Sequence, residues 1–125
     1  MPGMALILVA EDDQFFSSLI ARRLQEHGFG IICAFDGEET ISLARSKHPD
    51  LLLLDLLMPK KDGYSVMEEL RADADTAKIP ILIATNLSDR DSIERGMKLG
   101  AVDALIKADT TPEEIAQRIS ALLKK

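Results

Sequence analysis

Five short stretches of almost unbroken aliphatic character recur along the chain: ALILVA at 5–10, IICAF at 31–35, LLLLD at 51–55, ILIAT at 81–85 and ALIK at 104–107. Each has the length of a strand and none alternates between apolar and polar residues, which is how a parallel strand covered on both faces reads. The segments between them change period. Over 13–27, Phe16, Leu19, Ile20 and Leu24 fall on one helical face while Arg22, Arg23 and Glu26 fall elsewhere, with Gly28 as the stop. Further helices are marked by their first residues. Asp36 with Glu39, and Thr111 with Pro112 and Glu114, have capping spacing, and Asp62 before Gly63 caps the helix that follows it. Ser88 or Asp89 opens another, which runs to Gly100 with Ile93, Met97 and Leu99 as its apolar positions. Strand and helix alternating in this way predict an α/β fold: a doubly wound, five-stranded parallel sheet with helices on both faces.

In such a sheet ligands bind beyond the carboxyl ends of the strands, and that rule sorts the polar residues. Glu11, Asp12 and Asp13 follow the first run, Asp55 ends the third, Thr85 and Asn86 close the fourth, and Lys107 closes the fifth. Asp13 is expected to cap the first helix. Glu11, Asp12 and Asp55 brought to one mouth repel one another unless a cation is present. An all-oxygen set without a Cys or His cluster favours magnesium or manganese over zinc. With the charge of Lys107 and the hydroxyl of Thr85 on the same rim, the set suits phosphoryl transfer with Asp55 as nucleophile. Taken singly, Lys107 reads better as an ion-pair partner of Asp55, and Thr85 as a strand-end residue.

The composition narrows the function classes. With 125 residues, 46% hydrophobic and 29% charged, the chain has the size of one domain, read as an N-terminal tail over 1–4 and a single domain over 5–125. A net charge of −6, with basic pairs only at Arg22-Arg23, Lys60-Lys61 and Lys124-Lys125, argues against a nucleic-acid surface. No apolar run has the length of a membrane span, and Glu11 follows the N-terminal apolar stretch without a basic flank or cleavage site, so the expected location is the cytoplasm. The single cysteine, Cys33, excludes an internal disulfide and reads as a small buried hydrophobe. His27 and His48 lack ligand spacing and read as solvated, as does the Lys60-Lys61 pair. Met67 and Met97 read as core fillers, and Phe15, off the buried stripe, as either a partner contact or local packing.

Taken together, LILVAEDD at the first strand, LLLLDLLMPKKDG around Asp55, IPILIATN, GAVDALIK and the closing TTPEEIAQRI resemble the receiver domain of two-component response regulators along almost the whole chain. The resemblance implies strand order 2-1-3-4-5, with Asp55 as phosphoacceptor and Glu11 and Asp12 as the acidic metal pair. It implies Mg2+, with Mn2+ as a substitute, held by these acids and the main-chain carbonyl of Leu57, while Thr85 and Lys107 contact the phosphoryl group. The donor would be a sensor histidine kinase or histidine phosphotransfer protein, with small acyl phosphates as substitutes. Such a domain catalyses only its own phosphorylation and slow dephosphorylation, and alters its binding to a downstream protein, as a monomer or weak dimer.

Several positions depart from the family pattern. Asn86 stands where alanine is usual, Ala108 where proline is usual, and Ala104 where many members carry an aromatic that swings inward. These departures motivate an alternative, a receiver-like interaction domain working without phosphorylation. Apolar Leu57 and Leu87 predict slow loss of the phosphoryl group. Leu57 also occupies the place of the second acid of aspartyl phosphatases, which argues against turnover of phosphate esters, and the hydroxyl-rich phosphate loop of a flavin-binding protein is missing. The chain ends directly after its closing helix, as a stand-alone receiver or one belonging to a longer regulator would.

Overall fold

The computed structural model describes residues 4–124, so that Met1 to Gly3 of the expected tail and Lys125 lie outside the described residues. The elements alternate as β1 (Leu6–Ala10), α1 (Gln14–Glu26), β2 (Gly30–Ala34), α2 (Gly37–Lys47), β3 (Leu51–Leu54), α3 (Gly63–Ala72), β4 (Ile81–Thr85), α4 (Arg90–Lys98), β5 (Asp103–Ile106) and α5 (Pro112–Leu123). Every adjacent pair of strands is parallel, in the order β2-β1-β3-β4-β5 that the resemblance implies. The last strand starts and ends one residue earlier than its aliphatic run suggests, because Lys107 opens a short 3-10 turn, Lys107–Asp109.

The strands are aliphatic throughout because each face of the sheet has its own core. Leu8, Leu52, Leu54, Ile81 and Ile83 point to the side where Ile41, Met67 and Leu70 arrive from α2 and α3. Ile7, Val9, Leu51, Leu53 and Leu82 point to the other side, against Ile20 and Leu24 of α1 and Ile115 and Ile119 of α5. Fully burying one such side chain contributes about 1.5–3 kcal/mol, so an alternating strand would forfeit one of the two cores.

The caps form largely as their spacing predicts. Asp13, Asp36, Asp62, Asp89 and Thr111 each accept a backbone N–H in the first turn of the helix they precede, and Thr111 with Glu114 closes a reciprocal box. Glu39 departs in one detail: its carboxylate takes the N–H of Phe35 instead of that of the capping residue.

Five side chains differ from the sequence reading, one of them Cys33, which is half-buried instead of buried. Leu19 is 40% exposed, and the buried stripe of α1 runs instead through Ser17, Ile20 and Leu24, with the Ser17 hydroxyl donating to Cys33 Sγ at 3.6 Å. Met97 is 40% exposed, because α4 meets the sheet through Gly96, its one fully buried residue, whose missing side chain leaves room for Ile83. His27 is drawn to α5, with Nε2 at 3.0 Å from Glu113 Oε1, an oxygen that Arg23 also contacts at 2.9 Å. Lys61 pairs with Glu69 at 2.7 Å. Arg71, at the end of α3, donates to the carbonyls of Ala77, Ile79 and Gly100 at 2.8, 2.9 and 3.0 Å, and burial lowers its pKa.

Candidate functional site

Strand register explains why distant acids meet. Ala10 pairs with Leu54, so Glu11 and Asp55 leave the sheet side by side, and Thr85 pairs with Ile106, so Lys107 leaves beside the end of β4. The adjacent β1 and β3 send their connections to opposite sides of the sheet, which opens a crevice at their carboxyl ends. Glu11 and Asp55 are 3% and 6% exposed, Asp12 is exposed, and one carboxylate oxygen of each lies within 4.8 Å of the others.

Lys107 supplies the opposing charge. Its Nζ donates to Glu11 Oε1 at 2.7 Å and to Asp55 Oδ2 at 2.9 Å, and stands 4.8 Å from the centroid of the Phe16 ring. Burial alone would pull its ammonium pKa down, but the hydrogen bonds to Glu11 and Asp55, with their charges, hold it above the usual lysine value. Burial raises the Glu11 carboxyl above the ordinary carboxylate range. The bonds from Lys107 and from the Asp13 N–H act against that rise, and the Asp55 charge adds to it.

The remaining sequence-predicted residues border this centre. Thr85 is fully buried at the end of β4, where its hydroxyl oxygen accepts the Leu87 N–H at 3.2 Å and keeps a proton to donate. The Leu57 N–H donates to Asp55 Oδ1 at 3.2 Å, so its main chain borders the carboxylate while its side chain is 56% exposed. Asp13 caps α1, as expected.

Three features of the site were not read from the sequence. Glu11 shares Lys107 with Asp55, Phe16 flanks the ammonium although it reads as a core residue, and the Asn86 side-chain oxygen accepts the Ala108 N–H at 2.9 Å. Only the last had a signal, since a residue other than proline at 108 carries an N–H that needs an acceptor. The peptide bond at that position is trans.

The donor chemistry of Glu11, Asp12 and Asp55 is all oxygen, with two of the three acids nearly buried, and it fits a hard divalent cation such as Mg2+.

Comparison with known proteins identifies the family. The family model described as the response regulator receiver domain matches residues 7–120. The chain is 40% identical over 119 residues to the "Probable transcriptional regulator ycf27" of Porphyridium aerugineum, covering 95% of this chain and 48% of that protein. It is 38% identical over 122 residues to the DNA-binding dual master transcriptional regulator RpaA of Synechocystis sp., covering 98% of this chain and 50% of that protein. It therefore spans about half the length of these curated relatives. Among solved structures, the Francisella response regulator 1452 receiver domain superposes with a TM-score of 0.86 at 30% identity, covering 94% of this chain and 95% of that one. A site of three acids and a lysine, on a sheet of this order and with these relatives, places the chain in the response regulator receiver domain family.

Proposed function

We propose that residues 5–125 act as one phosphorylation-controlled signalling domain with Asp55 as its acceptor. The observation that carries this reading is the Lys107 ammonium held between Glu11 and Asp55, which sets a cation beside a nearly buried carboxylate at the open end of the sheet. An Asp55 oxygen attacks the phosphorus of a phosphohistidine on a sensor histidine kinase or phosphotransfer protein. The O–P bond forms as the P–N bond breaks, and the electron pair returns to the imidazole. Lys107 then serves the phosphoryl oxygens that arrive on Asp55, and the buried Thr85 hydroxyl has a proton to offer them. Glu11, Asp12, Asp55 and the main-chain carbonyl of Leu57 are the groups that would hold Mg2+ or Mn2+, which when bound supplies positive charge for the phosphoryl oxygens.

Phe15, 75% exposed in the first turn of α1, and Leu57, 56% exposed beside Asp55, offer apolar surface near the site, which supports a protein donor. A net charge of −6 supports a downstream partner that is protein and not nucleic acid for this chain, although its relatives are named as transcriptional regulators. No helix among the described residues is long and apolar enough to cross a membrane, in keeping with a cytoplasmic site of action.

Intact mass after incubation with acetyl phosphate and Mg2+ tests the reading. One phosphoryl adduct is expected on the native chain and none on Asp55→Asn, with a lifetime well beyond seconds given the apolar Leu57 and Leu87. Failure to label with acetyl phosphate and also with a phosphohistidine donor would leave a phosphate-independent interaction domain.

A further inference from the structure

Lys107 reaches both acids from the first residue of a 3-10 turn, and such a turn leaves its leading N–H groups without partners of its own. Within it, Thr110 N–H returns to the Lys107 carbonyl at 3.3 Å and the Thr110 hydroxyl to the Ile106 carbonyl at 2.8 Å. Neither bond engages the Ala108 N–H, which belongs to the peptide unit directly after the Lys107 Cα. Its acceptor comes from the neighbouring loop. Because Thr85 and Ile106 are paired at the ends of β4 and β5, Asn86 and Lys107 leave the sheet side by side, and the Asn86 amide is long enough to bridge to the next residue, at 2.9 Å. The donor is a backbone N–H, so the Asn86 atom facing it is the carbonyl oxygen.

Two consequences follow. A lysine has four rotatable side-chain bonds, so the site can aim its ammonium only if its main chain is fixed, and the Asn86 bond fixes it one peptide from the Cα. The same bond joins the turn carrying Lys107 to the residue that follows Thr85, so the two groups expected to meet the phosphoryl group are tied through the Asn86 side chain. We propose that Asn86 is a positioning residue for phosphoryl transfer, its side-chain carbonyl holding the Ala108 N–H and thereby setting where the Lys107 ammonium stands beside Asp55. The proposal rests on the reading of Asp55 as acceptor.

A double-mutant cycle tests it, with acetyl phosphate and Mg2+ as the probe and intact mass as the readout, on the native chain, Asn86→Ala, Lys107→Ala and the double variant. Asn86→Ala is expected to slow labelling about two- to tenfold, the effect of one ordinary hydrogen bond. In the Lys107→Ala background the same change is expected to do nothing, since a residue acting through Lys107 has no purchase without it. Amide hydrogen exchange at Ala108, which needs no phosphorylation, is expected to accelerate in Asn86→Ala. Equal slowing in both backgrounds, unchanged or faster labelling in Asn86→Ala, or unaltered exchange at Ala108 would each overturn the positioning role while leaving Asp55 as acceptor. No adduct on the native chain would remove both.

Discussion

The helices on either side of β5, α4 and α5, are of similar length and both carefully capped, yet the protein holds them very differently. α5 buries Ile115, Ala116 and Ile119 against the sheet, and Glu113 ties it to Arg23 of α1 and to His27, the residue that caps the end of α1. α4 buries Gly96 alone, is otherwise rich in exposed charge, and touches α3 through a Ser92 carbonyl that accepts the Tyr64 hydroxyl and an Arg95 guanidinium 4.0 Å from the Tyr64 ring. Capping fixes where a helix starts, but how firmly it is held depends on the apolar area it shares with the sheet. The lightly held helix is the one whose leading loop carries Asn86. A local rearrangement there would break few buried apolar contacts.

The largest expected break in this contrast is a truncation in each helix. Ile119→Ala removes a fully buried side chain and is expected to cost about 2–5 kcal/mol in urea unfolding, whereas Met97→Ala, at an exposed position, should stay within about 0.5 kcal/mol. Comparable losses at the two sites would show that α4 is as firmly packed as α5.

The charge cluster on α5 gives a smaller, pH-dependent effect. Hydrogen bonds from His27 and Arg23 hold the Glu113 carboxyl at about 2, below its ordinary 4.5. A depressed carboxylate stabilises the fold above its unfolded pKa and loses that contribution as pH falls from 4.5 through about 2. The melting-temperature gap between the native chain and Glu113→Gln should therefore be open at neutral pH and close across that interval. A gap independent of pH would assign the effect to packing.

A further small change, with two opposing causes, is Gly96→Ala. A methyl there meets only the far end of the Ile83 side chain, while alanine favours the helix by about 1 kcal/mol over glycine, so the two effects should leave stability within about 1 kcal/mol of native. A larger loss would mean that α4 is seated on Ile83 more rigidly than its burial implies.

The same contrast explains what the sequence made legible. The five strands announced themselves because two cores demand aliphatic residues at consecutive positions, and the acids were legible because each stands one or two residues past such a run. α4 misled because Ile93 and Met97, four residues apart, imitate a core stripe, while the contact is made by a glycine that no hydrophobic pattern marks. Leu19 misled for the converse reason, since the stripe of α1 includes a serine. The bonds of Glu113 to His27 and of Lys107 to Glu11 join residues 86 and 96 positions apart, and no local period encodes a distance of that kind.

Arg71 gives α4 an anchor. By grasping the Gly100 carbonyl together with those of Ala77 and Ile79, it clamps the far end of that helix to the end of α3, while the near end follows the loop that begins at Asn86. The two ends of α4 are thus unequally moored, the far end by a guanidinium shared among three carbonyls and the near end by the Tyr64 hydroxyl on the Ser92 carbonyl.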